Sequence, residues 1–230
     1  MYKFYFKYIL IINMEFEIAR RNMVLSQLKP NKVTDEKVLE AFLQVPREIF
    51  VKKAQSKHCY IDENLMINKK RYLLNPVVLA RLIQSLELNR DKTILCLGSG
   101  IGYSLVILSF LAGTVIGIDT DKKLVDDSTR IILSLNVDNV AIIRNSIDKG
   151  YLQQAPYDAI LIEGSVKKVP EIILNQLNEN GKLATVEEQN ENHGHAVVYE
   201  KIDKNFVRSY LFDTNVPILN SFVGRFTFKF

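Results

Sequence analysis

Short apolar runs alternate with segments of helical periodicity from residue 93 onward. The runs predict β-strands and have the sequences TILCLG, TVIGID, VAIIR, DAILIE and KLATV. The segments between them, YSLVILSFLA, KKLVDDSTRIILSL and PEIILNQL, carry apolar residues at helical spacing. This alternation predicts right-handed crossovers and a parallel sheet that is buried on both faces.

The last two apolar runs, HAVVYEK and RFTFKF, have no segment of clear helical periodicity between them. In the second run Phe226, Phe228 and Phe230 alternate with polar residues, which predicts a half-buried antiparallel strand. We therefore predict an α/β fold built on a doubly wound, mostly parallel sheet with an antiparallel edge strand.

The first part of the chain predicts helices. The segments MEFEIARRNMVLSQL, DEKVLEAFLQV and VVLARLIQSLEL have helical stripes. Thr34 and Asp35 offer an N-cap and an acidic first turn for the second, and Pro76 can open the third. We expect one domain over residues 14–230, with an N-terminal helical part over 14–90 and the sheet core over 91–230.

Residues 1–13 are expected to be a non-native or disordered extension. Their uninterrupted apolar run, Tyr8 to Ile12, is too short to span a bilayer, and no small-residue cleavage site follows it. Met14 offers an alternative translation start.

Composition and charge argue against several classes of protein. The 230 residues are 47% hydrophobic and 24% charged, with a net charge of +4, as in ordinary globular proteins. The basic residues are scattered, so we expect neither a nucleic-acid nor a membrane partner. Two cysteines, Cys59 and Cys96, do not suggest a disulfide framework and fit a reducing cytoplasm.

The segment LCLGSGIGYS follows a predicted strand and opens a predicted helix. Gly98, Gly100 and Gly102 allow a tight turn and a close backbone approach to a ligand. The next strand ends at Asp119, about 20 residues on, where a carboxylate can accept hydrogen bonds from ribose hydroxyls. Loop and acid together indicate an adenosine-containing cofactor.

The spacing of the glycines narrows the choice of cofactor. A dinucleotide fingerprint needs glycine where Tyr103 stands, which disfavours a nicotinamide oxidoreductase, and the Gly-Lys-Ser/Thr of a P-loop is absent. The pattern G-x-G-x-G before the first helix of the sheet is typical of methyltransferases that bind S-adenosylmethionine.

Four blocks in order resemble the protein-L-isoaspartate O-methyltransferase family. They are ARRNMVLSQLKPNKVTDEKVLEAFLQVPREIFV, LNPVVLARLIQSLEL, LGSGIGY and APYDAILIEGSVKKVPEIILNQLNENGKLATV. The resemblance implies a Rossmann-like methyltransferase fold with a seven-stranded sheet and repair of damaged proteins. In that repair a methyl group from S-adenosylmethionine esterifies the α-carboxylate of an isoaspartyl residue, and the ester collapses to a succinimide.

The chain departs from the family at several polar positions. Leu74 stands where the family has an active-site serine, and Cys96 stands where it has an acid before the loop. Asn145 and Ser146 replace a Gly-Asp pair that helps to bind adenosine. These changes motivate two alternatives: a divergent methyltransferase with another acceptor, and a non-catalytic binding or scaffold module.

Site residues follow from the loop, the acid and the resemblance. We expect cofactor contacts from Gly98, Ser99, Gly100, Gly102, Tyr103, Asp119, Asn145, Ser146 and Glu163. Arg71 and Asn75 flank Leu74 and are candidates to contact an acceptor carboxylate, although a surface role suits Arg71 equally well. His193 and His195, with Glu187, Glu188 and Glu191 nearby, have the residue types of a metal site. We interpret them instead as a solvated loop that runs into a strand, and we expect no metal.

Overall fold

The computed structural model describes residues 14–190, 193–219 and 222 of the chain. The predicted extension over residues 1–13 and the predicted strand at 226–230 lie outside these residues. Among the described residues, no helix has the length and apolar character needed to cross a bilayer.

The elements are as follows. The strands are β1 Leu65–Asn68, β2 Arg71–Leu73, β3 Thr93–Leu97, β4 Thr114–Asp119, β5 Val140–Arg144, β6 Tyr157–Val166, β7 Leu177–Asn190, β8 His193–Ile202 and β9 Asn205–Thr214. The helices are α1 at residues 14–22, α2 Glu36–Gln44, α3 Pro76–Ser85, α4 Tyr103–Leu111, α5 Lys122–Ser134 and α6 Glu171–Leu174, and a π-helical segment, Met23–Leu28, continues α1.

The main sheet has seven strands in the order β5-β4-β3-β6-β7-β8-β9. The five strands from β5 to β7 are mutually parallel, which confirms the predicted parallel core. Strand β8 pairs antiparallel with β7, and β9 pairs antiparallel with β8. Seven strands, mostly parallel with an antiparallel strand beside them, are the sheet that the family resemblance implied.

Strand β9 was not predicted from the sequence. It follows a two-residue turn in which Asp203 and Lys204 both have positive φ, a turn that suits the twist of a hairpin. Most of its side chains are exposed, so its sequence lacks a clear apolar alternation. The predicted helix PEIILNQL is also short, because α6 ends at Leu174 and β7 begins at Leu177.

Side chains of β3 alternate between two apolar clusters. Ile94 and Cys96 face the cluster that contains the N-terminal helices and α4, whereas Leu95 and Leu97 face the cluster on the opposite side of the sheet. Burial on both faces is the expected environment of a central parallel strand.

The carboxyl ends of three central strands meet at one edge of the sheet. Leu97 is in register with Ile118 of β4 and with Ile162 of β6. The residues that follow these three, Gly98, Asp119 and Glu163, therefore lie side by side at the edge where open α/β sheets bind ligands.

Candidate active site

The glycine loop joins β3 to α4 in a tight turn. Gly98 N–H donates to the carbonyl of Ile118 at 2.9 Å, and Gly102 N–H donates to that of Ser99 at 2.9 Å. Gly102 precedes α4 with φ +90°, and a Cβ there would lie 3.0 Å from the Cβ of Ser128. Only glycine meets both demands, so the loop has the strand–turn–helix form that its sequence predicted.

Asp119 lies at the end of β4 beside this loop and is completely buried. Its Oδ2 accepts hydrogen bonds from Arg71 Nε at 2.7 Å and from Gly100 N–H at 3.0 Å. Its Oδ1 accepts from Arg71 Nη2 at 3.2 Å and from Asp121 N–H at 3.0 Å. Four donors thus occupy the lone-pair positions of a carboxylate expected to bind ribose.

Arg71 reaches Asp119 from β2 and is only 4% exposed. It is therefore buried in an ion pair, and the surface role considered for it from the sequence is wrong. The hairpin of β1 and β2 also contacts this edge through Asn68, whose Nδ2 donates to Asp121 Oδ2 at 3.1 Å. The hairpin is absent from the sequence prediction, so the pairing of Arg71 with Asp119 was missed.

Glu163 belongs to a small polar cluster beneath the loop. Its Oε2 accepts a hydrogen bond from the hydroxyl of Ser104, and Cys96 Sγ lies 3.8 Å away as a further donor. Burial raises the pKa of Glu163 from 4.5 to about 8, with a smaller opposing effect of the Ser104 hydrogen bond. The Glu163 carboxyl group is therefore largely protonated at neutral pH and lies beside Cys96, the position at which the family resemblance implied an acid.

Tyr103 projects into the core rather than toward the open side of the loop. Its ring makes edge contacts with Phe42 and Phe50, and the guanidinium of Arg47 lies 4.8 Å from its centre. Its hydroxyl has no hydrogen-bond partner among the described residues. These contacts attach the loop to the N-terminal part of the domain. They give the Tyr103 ring a role in packing.

Arg47 was not singled out from the sequence, although it lies within the VPREIF segment. It is fully buried, and it donates to the carbonyls of Cys59 at 2.6 Å and Leu74 at 2.7 Å. A buried guanidinium that binds two distant carbonyls fixes the position of the segment that carries Leu74.

Leu74 and Asn75 have structural roles in this conformation. The Leu74 side chain is buried in the main apolar cluster. Asn75 caps α3, because its Oδ1 accepts from the N–H groups of Val77 at 2.8 Å and Val78 at 3.1 Å. Its Nδ2 donates to the carbonyl of Asp62 at 2.8 Å, so the side chain is fully engaged away from the loop.

Asn145 and Ser146 are exposed just beyond β5. The N–H of Asn145 donates to the backbone carbonyl of Asp119 at 3.0 Å, which places both residues next to the buried carboxylate. Ser99 is buried instead, and its hydroxyl has no partner among the described residues. Asn145 and Ser146 are thus the solvent-facing part of the predicted cofactor set.

The loop is covered by the chain after β9. Ser165 N–H donates to the carbonyl of Pro217 at 3.0 Å, and Leu219 N–H donates to that of Ser165 at 2.9 Å. The side chain of Leu219 lies 3.1 Å from the position of a Cβ on Gly98. A cleft of about 460 Å³ borders the loop at Ile101, but Asp119 and Glu163 do not line it.

Asp119 is not free to bind the ribose of S-adenosylmethionine in this conformation. Beside it, the backbone at Gly100 is open, because a Cβ placed there would have no atom closer than 3.9 Å. The nearest of these atoms is the Cβ of Arg71, whose guanidinium holds Asp119. Ribose hydroxyls at Asp119 would therefore compete with Arg71, which supplies two of its four hydrogen bonds.

Comparison with known proteins identifies the family. The family model described as protein-L-isoaspartate(D-aspartate) O-methyltransferase matches residues 19–218. The chain is 34% identical over 168 residues to a protein-L-isoaspartate O-methyltransferase of Syntrophobacter fumaroxidans, covering 73% of this chain and 78% of the relative. An enzyme of the same name from Geobacter metallireducens is 34% identical over 170 residues, covering 74% and 79%.

Solved structures agree with this assignment. A putative protein-L-isoaspartate O-methyltransferase from Plasmodium falciparum, solved with S-adenosyl-L-homocysteine, is 27% identical with a TM-score of 0.73, covering 88% of this chain and 98% of that one. Another structure titled protein-L-isoaspartate O-methyltransferase has a TM-score of 0.76 at 24% identity, covering 86% of this chain and 65% of that one, and supports the fold alone. The chain therefore belongs to the protein-L-isoaspartate (D-aspartate) O-methyltransferase family.

Proposed function

We propose that this protein is an S-adenosylmethionine-dependent O-methyltransferase that esterifies the α-carboxylate of isoaspartyl residues in damaged proteins. One observation carries the proposal: the glycine loop and Asp119 lie side by side at the sheet edge of a chain whose residues 19–218 match the family. We place the protein in the cytoplasm, because Cys59 and Cys96 are both free and buried.

The cofactor is held by the loop and the strand ends. The backbone of Gly98 to Gly102 receives its amino-acid end, and Asp119 receives the ribose hydroxyls once Arg71 has released the carboxylate. We assign the adenosine to Asn145 and Ser146, which are exposed beside Asp119. Asp119 is the key residue of this set because its oxygens are the strongest acceptors at the edge.

Arg71 takes part in acceptor binding. Once ribose occupies Asp119, the guanidinium loses its carboxylate partner and is left next to the loop. A second carboxylate, the α-carboxylate of an isoaspartyl residue, can then replace Asp119 in the same two-point contact. Cofactor binding thereby creates the acceptor site, which gives an ordered sequence of binding.

Methyl transfer needs little acid–base help from the protein. When bound, S-adenosylmethionine would supply an electrophilic methyl group to a carboxylate oxygen of the acceptor and leave as S-adenosylhomocysteine. The protein's contribution is to hold the two reactants in line and to exclude water, which supplies most of the rate of such a reaction. The buried side chains around the loop, among them Leu219 and Tyr103, provide a dry environment. Glu163 keeps its proton near neutral pH and does not act as a base.

The test is transfer of a labelled methyl group to a peptide. We expect label from S-adenosylmethionine to enter a peptide with one isoaspartyl residue and not the same peptide with an ordinary aspartyl residue. Calorimetry with S-adenosylhomocysteine provides the binding control. Binding of S-adenosylhomocysteine without label in the isoaspartyl peptide would contradict the repair assignment.

Leu74 favours a second candidate, a methyltransferase with a different acceptor. A buried leucine at the family's serine position removes a hydroxyl from acceptor recognition. This candidate predicts S-adenosylhomocysteine binding, no label in the isoaspartyl peptide, and label in another component of a cell extract. A scaffold module predicts no binding of S-adenosylhomocysteine at all.

A further inference from the structure

The hairpin of β8 and β9 carries a cluster of metal-ligand side chains away from the glycine loop. His193 and His195 are two residues apart on β8 and therefore project from the same face. Asp213 of β9 is the cross-strand partner of His195, so it shares that face. The sequence pointed to the histidines but not to Asp213, which strand β9 brings to them.

The ligand atoms of these residues converge. His193 Nε2 and His195 Nε2 are 3.2 Å apart. Asp213 Oδ1 lies 3.4 Å from His195 Nε2 and 3.7 Å from His193 Nε2. In a tetrahedral zinc site with bonds of about 2.0–2.1 Å, neighbouring ligand atoms lie roughly 3.3–3.4 Å apart. The three atoms have the spacing of one face of such a tetrahedron.

Hydrogen bonding accounts for only part of this arrangement. The two imidazole Nε2 atoms lie within hydrogen-bond distance of each other. Both contacts of Asp213, in contrast, exceed the usual 2.7–3.2 Å of an N–H to oxygen hydrogen bond. The three ligand atoms therefore lie together at a spacing that a cation can bridge.

Neighbouring side chains restrict which residues can join the cluster. The ring of Tyr210 makes an edge contact with that of His195 at 5.4 Å between centres. Glu187, suggested as a ligand by its nearness in sequence, is engaged elsewhere by Arg208 at 2.7 Å and Tyr199 at 2.5 Å.

We propose that His193, His195 and Asp213 bind a divalent transition-metal ion, with Zn²⁺ as the preferred occupant. Two imidazoles and one carboxylate are a donor set that suits zinc. The side chains are 45%, 31% and 58% exposed, so the fourth position faces solvent and takes a water molecule. The metal would link β8 to β9 just before residues 216–219, which cover the glycine loop. Metal binding does not depend on the proposed methyl transfer.

The composition of the chain makes a clean test possible. The chain has three histidines, so His58 is the matched control for the two in the cluster. The two cysteines are both fully buried and cannot compete for added metal. His58→Ala therefore leaves the site intact, whereas His195→Ala and Asp213→Asn each remove one ligand.

The experiment titrates tag-free, metal-stripped full-length protein with ZnCl₂ by calorimetry, and with Co²⁺ by visible absorption. We expect one Zn²⁺ per chain and the intense visible bands of tetrahedral Co²⁺. Each ligand substitution should weaken Zn²⁺ binding by more than about tenfold, since loss of even an outer partner costs about 10–100-fold. The His58→Ala variant should bind as the wild type does.

Thermal unfolding without metal shows whether each variant is folded, and the exposed positions of the ligands predict unchanged midpoints. Failure of the folded wild-type protein to bind Zn²⁺, or equal binding by wild type, His195→Ala and Asp213→Asn, would overturn the proposal. Loss of binding in His58→Ala would do the same, since the ligands would then lie elsewhere.

Discussion

Arg71 and Asp119 form a bidentate ion pair buried at the edge of the sheet, with N–O distances of 2.7 and 3.2 Å. The pair joins the β1–β2 hairpin to the end of β4 across 48 positions of sequence. It also occupies the carboxylate that we propose binds the cofactor's ribose. Under this proposal, Arg71 has to release Asp119 before ribose binds.

Replacing Arg71 by glutamine tests this competition. We expect Arg71→Gln to bind S-adenosylhomocysteine more tightly than wild type, because Asp119 is then free, and to show a higher KM for an isoaspartyl peptide. The free energy of unfolding should fall by about 3–5 kcal/mol, the usual cost of leaving one buried charge unpaired. Calorimetry, peptide kinetics and urea unfolding measure the three effects.

Lys70→Gln is the control for Arg71→Gln, because Lys70 is the exposed neighbour on the same hairpin. It should leave all three quantities near their wild-type values. Weaker cofactor binding by Arg71→Gln would show that the arginine supports the cofactor rather than competes with it.

Substitution of Asp119 should have the opposite effect on the cofactor. Asp119→Asn replaces a charged acceptor by a neutral one, and hydrogen bonds to charged groups contribute about 1.5–3 kcal/mol each. We expect the dissociation constant for S-adenosylhomocysteine to rise by about 10- to 100-fold. Asp138→Asn, at an exposed position, is the matched control. An unchanged constant in Asp119→Asn would remove Asp119 from the cofactor site.

The Glu163 cluster predicts a dependence of stability on pH. The pKa of Glu163 is raised to about 8, so between pH 4.5 and 8 the folded state holds a proton that the unfolded state has lost. This residue therefore makes the free energy of unfolding decrease as pH rises through that window, by at most about 1.4 kcal/mol per pH unit.

Glu163→Gln cannot titrate, so it should lose less stability than wild type on going from about pH 5 to about pH 8, as followed by urea unfolding. The exposed Glu171→Gln should keep the wild-type slope. Parallel curves for wild type and Glu163→Gln would mean that Glu163 is ionised throughout.

Two substitutions of Tyr103 distinguish a packing role of its ring from a cofactor-binding role of its hydroxyl. Its hydroxyl has no partner among the described residues, so Tyr103→Phe should be as stable as wild type or more so, with unchanged affinity for S-adenosylhomocysteine. Tyr103→Ala should cost about 3–5 kcal/mol by opening a cavity between Phe42 and Phe50. A clear loss of affinity in Tyr103→Phe, measured by calorimetry, would instead return the hydroxyl to the cofactor site.

The spacing of apolar residues and glycines correctly predicted the strands and turns that are determined by residues close together in sequence. The five parallel strands and the turn at Gly98 to Gly102 follow from short-range apolar spacing and backbone freedom. Of the two residues expected to start α2, Thr34 and Asp35, it is Asp35 that caps the helix. Strand β9 was missed because it is mostly exposed and pairs only at the sheet edge. Its absence from the prediction hid the approach of Asp213 to the two histidines.

The contacts within the candidate site join residues that are far apart in sequence, so their spacing along the chain could not predict them. Arg71 meets Asp119 because the β1–β2 hairpin folds over the loop, and Glu163 meets Cys96 because β6 lies beside β3. The sequence therefore indicated residues that gather at this edge of the sheet, but not that two of them would bind each other. Asn75 was predicted to contact the acceptor because it is next to Leu74 in sequence, but in the structure its side chain caps α3.

The most direct test of the central claim is the initial rate of methyl transfer to paired peptides that differ only in an isoaspartyl or aspartyl linkage. We predict that wild-type protein labels the isoaspartyl peptide alone, and that Asp119→Asn labels it much more slowly at subsaturating S-adenosylmethionine. Equal labelling of both peptides, or no labelling by protein that binds S-adenosylhomocysteine, would contradict the account.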